Sequence, residues 1–211
     1  MTGSHDTSEA GRLESLWAGR FGDEYAERNK DASRGRDIFW RWLLAQYKVG
    51  TILEVGCNIG GNLRWIAETL PPKNVYGIDV NAVALERLRQ AIPGVNAVLS
   101  AAKALPFQEA QFDLVFTSGV LIHQPEDTLK AVMSEIVRCS RRYVLCLEYF
   151  SKETVEVPYR GNERALFKRD YGYLYQELRP SLKLLEKKEL RKKDGWDDVT
   201  CWLFERSAGA A

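Results

Sequence analysis

From residue 51 onward, short runs rich in Val, Ile, Leu, Phe and Tyr alternate with stretches of helical period, and this alternation leaves few folds open. The strand-like runs fall at 51–56, 74–79, 95–99, 112–117 and 142–148. Helical patterns lie between them: 61–70, stopped by Pro71-Pro72; 82–91, before Pro93-Gly94; and 126–139. Strands that alternate with helices imply a parallel sheet covered on both faces, and right-handed crossovers restrict how it is wound. The 99–111 link has no clear period and reads as a short helix or a loop. The end of the chain breaks the alternation. "SLKLLEKK" and "VTCWLFER" read as two strands joined by "ELRKKDGWDD", where Asp194-Gly195 offers a turn, so this pair is expected to be antiparallel.

Upstream, "RDIFWRWLLAQYK" (36–48) predicts a helix, with Phe39, Trp40, Leu43, Leu44 and Tyr47 along one side. Leu13 to Asn29 reads as helical, broken at Gly19 and Gly22. The small polar residues at the start suggest a disordered tail over 1–12, followed by one domain over 13–207. Within it, 13–48 is a helical cap and 151–181 a lid. A chain of 211 residues, 45% of them hydrophobic, can build one domain with a substantial core. With 30 basic and 29 acidic residues, it carries no electrostatic footprint for nucleic acid or an anionic membrane. No segment reads as a signal peptide or a membrane span, so a cytoplasmic location is expected. Cys57, Cys139, Cys146 and Cys201 are scattered without CxxC or zinc spacing; they read as buried thiols, and no metal site is expected.

The chemistry begins at "TILEVGCNIGGNLRWIAETLPPKNVYGIDVN" (51–81), where a strand enters a glycine-rich turn. A phosphate-binding loop would need GxxxxGK[ST], but Gly61 is followed by Asn62-Leu63. A dinucleotide turn would need a second glycine where Asn58 stands. What remains is Glu54, Gly56 and Gly60 in an acid-x-Gly-x-x-x-Gly pattern. An acid inside the first strand is a poor neighbour for pyrophosphate and a good one for an ammonium. S-adenosylmethionine has an ammonium, a sulfonium, a ribose and no phosphate. Gly56 and Gly60 let backbone approach a ligand closely. Asp79 closes the second strand, where a carboxylate can accept both ribose hydroxyls.

These stretches resemble the class I S-adenosylmethionine-dependent methyltransferases. "ILEVGCNIGG" looks like their first motif, "VYGIDVN" their second, and "ALPFQEAQFDLVFTSGVLIHQPED" their middle block. The resemblance implies a Rossmann-like, doubly wound α/β sheet of seven strands, mostly parallel with the last antiparallel. It also implies S-adenosylmethionine as cofactor, held by Glu54, Gly56, Asn58, Gly60, Asp79, Val80 and Ser118. A narrower likeness runs through "LWAGRFGDEYAERN", "EVGCNIGGNL", "VLIHQPED", "LEYF" and "VPYRGNERALFKRDY", which are similar to methylases associated with pseudaminic acid biosynthesis. One departure stands out. Relatives usually place an acid near the adenine amino group, whereas this chain has Ser100, Ala101 and Ala102. Ser100 or backbone around Ala101 is expected to substitute, with Val80, Asn81 and Leu105 beside the ring.

A sulfonium methyl is already electrophilic, so the protein must align the acceptor, exclude water and manage a proton. His123, after the fourth strand, is a candidate general base or substrate anchor. Glu148, closing an otherwise apolar strand, is a second base or a substrate hydrogen-bond partner, or else a strand-end carboxylate paired with an arginine. Tyr149, Tyr159, Arg160 and Lys168 are candidate substrate contacts, because arginine and tyrosine together suit an anionic or sugar-like acceptor. Tyr25 and Asn29, four apart, are placed over the cofactor. The expected function is methylation of a small polar acceptor, sugar-like or anionic, on oxygen before nitrogen. The alternatives are a methyltransferase acting on protein or another macromolecule, a non-catalytic binding module, and, more distantly, an NAD-dependent oxidoreductase. The expected partners are a small-molecule acceptor and, in a homodimer, a second copy of the chain.

Overall fold

The computed structural model describes residues 8–30 and 34–207. Three helices come first: α1 (Glu9–Ala18), α2 (Arg20–Arg28) and α3 (Asp37–Gln46). The alternating region follows as β1 (Ile52–Val55), α4 (Leu63–Ile66), β2 (Val75–Asp79), α5 (Ala82–Ala91), β3 (Asn96–Leu99), β4 (Phe112–Ser118), α6 (Glu126–Cys139) and β5 (Ser140–Glu148). A short hairpin, β6 (Val155–Glu156) and β7 (Phe167–Lys168), leads into α7 (Tyr171–Leu178), β8 (Leu182–Leu190) and β9 (Val199–Arg206).

The main sheet has seven strands in the order β3-β2-β1-β4-β5-β9-β8. β1 runs parallel to β2 and β4, β2 to β3, and β4 to β5. β9 is antiparallel to both β5 and β8, as the missing helix between the last two runs requires. Successive strands step outward from β1 to β3, and the chain then returns to β4 on the other side of β1. A ligand cleft belongs at that reversal, beyond the carboxyl ends of β1 and β4.

Both faces of the sheet are covered. α6 presents Leu129, Val132, Met133, Ile136 and Val137 at helical spacing, and with Tyr171 and Tyr175 of α7 it packs on one face. Phe39, Trp40 and Leu43 of α3, Leu63 and Ile66 of α4, and Leu85 and Leu88 of α5 cover the other. Residues 52–55 of β1 are all buried, as expected for a central parallel strand.

Three details differ from the sequence expectation. Ser8 caps α1 by accepting from Gly11 N at 3.1 Å, so order begins within the stretch read as a tail; residues 1–7 lie outside the described ones. Gly22 does not break a helix. It sits inside α2, where a Cβ would lie 1.9 Å from Trp17 O, so its lack of a side chain lets α2 fold back onto α1. The 61–70 helix shrinks to Leu63–Ile66, because Thr69 N bonds back only to Ile66 O before Pro71 ends the run. The 99–111 link takes the second of its two expected forms, a loop. Among the described residues, no helix is long and apolar enough to cross a membrane.

Candidate active site

A cavity of about 190 Å³ opens at the carboxyl ends of the central strands. Glu54, Gly56 and Asn58 from the β1 turn line it, with Asp79, Val80 and Asn81 after β2 and Ser100 to Lys103 after β3. Ser118 to Val120 and His123 after β4 line it too, and Trp17, Gly22, Tyr25, Asn29 and Arg36 of the helical cap roof it.

Asp79 ends β2 with each oxygen engaged once: Oδ2 accepts from Asn58 N at 2.8 Å and Oδ1 from Asn81 N at 2.9 Å. A carboxylate oxygen has two lone pairs, so one on each remains for a ligand. Burial pushes its pKa up against these backbone donors. Asn58 reaches this position with a φ of 48°, in the left-handed region that asparagine tolerates better than most residues.

Glu54 is only 2% exposed. Its Oε1 accepts from Asn62 Nδ2 at 2.6 Å, and its Oε2 is fully buried without a partner. Burial raises its pKa to about 8, with Asn62 and Arg36 pulling it down. Arg36, from the connection before α3, donates from Nη1 to Asn62 Oδ1 at 3.1 Å and from Nε to Gly195 O at 2.8 Å. Its guanidinium lies 4.5 Å from the Trp196 ring centroid. Sequence reasoning missed both Asn62 and Arg36, because their meeting with Glu54 is tertiary and no local pattern encodes it.

The two glycines of the turn have different tasks. Gly56 lines the cavity at φ 75°, and a Cβ there would meet Val120 Cγ2 at 2.4 Å. Gly60 does not line it. Its φ is 78° and a Cβ would strike Leu88 Cδ1 at 2.3 Å, so Gly60 lets the turn pack on α5 and does not admit a ligand.

His123 sits in a short 3₁₀ turn, Leu121–His123, and is 8% exposed. Its Nδ1 lies against Ala165 O, a group that can only accept; the neutral ring therefore carries its proton on Nδ1 and keeps the Nε2 lone pair. Trp17 and Tyr159 pack against the ring, with centroids at 4.6 and 5.1 Å from it and 6.3 Å from each other. Burial lowers its pKa to about 4, which weakens it as the general base that the sequence offered.

Glu148 is placed otherwise than expected of a base. It is fully buried and does not line the cavity. Oε1 accepts from Val120 N and Leu121 N at 3.1 Å each, and Oε2 from Ile122 N at 3.4 Å. No arginine pairs with it among the described residues. The carboxylate caps the turn that carries His123, while burial raises its pKa to about 7.

The lid residues are less gathered than expected. Tyr159 packs on His123 and on Trp17, but Arg160 is exposed at a turn and only skirts the Tyr159 ring at 6.0 Å. Lys168 lies 5.8 Å from the Tyr149 ring, and none of these four lines the cavity. Tyr25 and Asn29 do line it, joined by Asn29 Nδ2 donating to Tyr25 O at 2.9 Å. Ser100 and Ala101 stand on the far wall, where Ser100 Oγ donates to Ala104 O at 3.2 Å.

Comparison with known proteins agrees with this geometry. A family described as a methyltransferase domain matches residues 52–142. Phthiotriol/phenolphthiotriol dimycocerosates methyltransferase 1 of Mycobacterium ulcerans is 31% identical over 138 residues, 64% of this chain and 40% of that protein. A fatty-acid O-methyltransferase of Mycolicibacterium smegmatis is 38% identical over 66 residues, 30% of this chain and 24% of that protein. The chain thus spans less than half the length of these relatives. Among solved structures, Burkholderia thailandensis 1,6-didemethyltoxoflavin-N1-methyltransferase, with bound S-adenosylhomocysteine, superposes with a TM-score of 0.72 at 15% identity, covering 95% of this chain and 91% of that one. The magnesium protoporphyrin IX methyltransferase of Synechocystis PCC 6803, with bound S-adenosylmethionine, gives 0.70 at 14% identity, covering 98% and 100%. Residues 52–142 therefore match a methyltransferase domain, and the described chain carries the class I methyltransferase fold around it.

Proposed function

We propose that the protein is an S-adenosylmethionine-dependent methyltransferase acting on a small-molecule acceptor, with oxygen favoured over nitrogen as the atom methylated. The observation that carries this reading is the unpartnered, buried Oε2 of Glu54 in the same cavity as the half-used carboxylate of Asp79. A buried carboxylate oxygen without a donor is costly. An ammonium satisfies Glu54 and a pair of ribose hydroxyls satisfies Asp79. Two carboxylates lining one cavity disfavour a pyrophosphate, which argues against a nicotinamide dinucleotide.

Bound there, S-adenosylmethionine supplies an electrophilic methyl group. The chain's own residues do the rest. Ser100 and Ala101 flank the adenine, and Val80 and Asn58 flank the ribose. Ser118 and Gly56 form the floor, and Trp17, Tyr25 and Asn29 close the roof against water. His123 accepts a hydrogen bond at Nε2 from the acceptor and orients it; an imidazole with a pKa near 4 is a weak base, so orientation outweighs proton removal. Tyr159 and Trp17 pack against the imidazole and against each other, and so hold it in place. A polar, sugar-like acceptor is supported by Tyr159, which packs on the cavity residues His123 and Trp17, and oxygen by the relative named as a fatty-acid O-methyltransferase.

Calorimetric titration with S-adenosylhomocysteine and with NAD tests the cofactor; binding of NAD alone would overturn it. Incubation with methyl-labelled S-adenosylmethionine and pooled hydroxyl-, carboxyl- and amine-bearing small molecules, read by mass spectrometry, tests the acceptor. Label on nitrogen alone would overturn the preference for oxygen.

A further inference from the structure

We infer that Arg169 is a positioning residue for His123: from the lid, it fixes the carboxyl end of the 3₁₀ turn that carries the imidazole. The inference rests on the role proposed for His123 above and adds a residue to it, since Arg169 does not line the cavity and acts only through the turn.

Arg169 is 3% exposed, a rare setting for a guanidinium. Its ion pair with Glu126 Oε2 is long, at 3.9 Å, and the Glu126 side chain is 78% exposed. Its Nε is buried without a partner among the described residues. The guanidinium lies 4.4 Å from the Phe167 ring centroid. A charge buried with so loose a counter-ion costs stability, and an apolar side chain of similar length would fill the same space at less cost. What the guanidinium supplies, and an apolar chain cannot, is a donor: Nη1 bonds to Gln124 O at 3.1 Å.

Gln124 follows His123 and closes the turn, its N–H donating to Leu121 O at 3.0 Å. Opposite charges therefore hold the two ends of the turn. Glu148 accepts from the N–H groups of Val120, Leu121 and Ile122 at its start, and Arg169 donates to the carbonyl at its end. Ser151 N donates to Arg169 O at 3.3 Å, which ties Arg169 to the chain just beyond β5, the strand that ends in Glu148. Ala165, four residues before Arg169, places its carbonyl against His123 Nδ1. The segment 165–169 thus grips two successive residues of the turn, His123 by its ring and Gln124 by its carbonyl. The Ala165 contact alone would let the turn pivot about the ring. With both contacts made, the proton stays on Nδ1 and Nε2 remains the free nitrogen.

The chain has two histidines, so His5→Ala leaves His123 as the only imidazole. Burial keeps that ring neutral at pH 7, where two-bond ¹H–¹⁵N correlation spectra report its tautomer without any ligand. In the His5→Ala chain the ring should carry its proton on Nδ1 alone. Adding Arg169→Met should mix in the Nε2-protonated form, and so should Arg169→Gln, which is polar but too short to reach Gln124 O. Arg169→Lys, which keeps a long cationic donor, should restore most of the Nδ1 form. S-adenosylhomocysteine should bind all of these chains alike by calorimetry. Methyl transfer from labelled S-adenosylmethionine to the pooled small molecules should fall by up to about 100-fold in Arg169→Met, the scale of an ångström's misplacement. On a His123→Ala background, Arg169→Met should lower turnover no further. An unmixed Nδ1 tautomer in folded Arg169→Met and Arg169→Gln chains would overturn the inference. A further loss of turnover on the His123→Ala background would overturn it too, because Arg169 would then act through another group. Weakened S-adenosylhomocysteine binding in Arg169→Met would overturn it in favour of a scaffolding role. A wild-type chain that binds no S-adenosylhomocysteine would overturn the cofactor reading, and with it any part for His123 or Arg169 in methyl transfer.

Discussion

Glu54 has one fewer hydrogen bond than a buried carboxylate needs, and its response to pH follows from that. The fold raises its pKa from 4.5 to about 8, so the protonated acid is the form the empty site favours. Its contribution to stability is complete below the unfolded value and is lost as pH rises through about 8. Glu148 acts in the same direction, through about 7. The melting temperature of the unliganded chain should therefore fall as pH rises from 5 to about 8.5, and Glu54→Gln should flatten that fall; a wild-type profile as flat as the mutant's would refute it. An ammonium at Oε2 should draw the proton off, so calorimetry near pH 7 in buffers of different ionisation enthalpy should show proton release, absent in Glu54→Gln. Asp79→Ala should weaken S-adenosylhomocysteine by about tenfold or more, since a bridging carboxylate is lost. His123 has the opposite shift. Its pKa of about 4 keeps it neutral through the physiological range, and turnover should show no acid limb near 6.5 that His123→Ala removes. Such a limb, lost in the mutant, would restore His123 as a general base. Glu54 and Asp79 were legible in the sequence because each sits at a fixed offset from a glycine turn or a strand end. The titration of His123 was not, because its burial comes from Trp17 and Tyr159, both far away in the chain.

Between residue and domain, the turn after β4 shows how one element can be read correctly and its key side chain misread. The run "TSGVLIHQPE" signalled a strand end with a histidine beyond it, and the structure places both there. A glutamate ending an apolar strand signals a cleft only when it is not needed inside, and Glu148 is needed. It is the acceptor for the N–H groups of Val120, Leu121 and Ile122, which the short turn leaves without carbonyl partners. Glu148→Ala would leave these donors buried and unsatisfied, at roughly 1–3 kcal/mol for each one that water does not reach. Urea unfolding should show that loss, with turnover falling as His123 loses its support. A mutant of native stability with abolished turnover would instead return Glu148 to the chemistry. Gly60 was misread for a similar reason: the pattern announces a turn but not which side of it faces the ligand. Gly60→Val should lower stability through its φ of 78° and the Leu88 contact, with loss of the native circular dichroism melt, and not a selective loss of binding. The strands themselves were legible because period and β-branched composition are local. The shortness of α4 was not, because its helical period runs on while the backbone tightens to an i→i−3 bond at Thr69 before Pro71.

For the molecule as a whole, the seven-stranded sheet followed from the alternation of runs, whereas the way the helical cap closes over it did not. α1 and α2 lie across the cavity, joined to the body of the domain by a small buried cluster of Ala26 with Ile59 and Ala84, by Glu27 with Arg87 of α5, and by a few further polar contacts. Asn81 Nδ2 donates to Trp17 O at 3.2 Å and to Asp23 Oδ1 at 2.8 Å; Lys103 pairs with Glu14 at 3.0 Å; and Arg12 Nη2 donates to Glu163 O at 3.0 Å, in the lid. Trp17 adds its ring contacts with His123 and Tyr159. An exposed ion pair such as Lys103–Glu14 contributes about 0–1 kcal/mol and each of the hydrogen bonds about 0.5–1.5 kcal/mol, while the strands beneath are held by full ladders and a buried core. The cap should thus open well below the global unfolding free energy, as a local unit. If the ligand must leave before the cap opens, ligand binding adds RT ln(1 + [L]/Kd) to that opening, about 2.7 kcal/mol at a hundred times Kd. Amide hydrogen exchange over residues 9–28 should accordingly be faster than over β1 and β4 in the empty chain, and should slow about 100-fold at that concentration of S-adenosylhomocysteine. Asp23→Ala, which removes one tie to Asn81, should raise the unliganded rate in the same segment and leave β4 unchanged. Exchange over 9–28 that ignores the ligand would mean the cap opens with the cavity still occupied, and the roof assigned to Trp17, Tyr25 and Asn29 would fall with it.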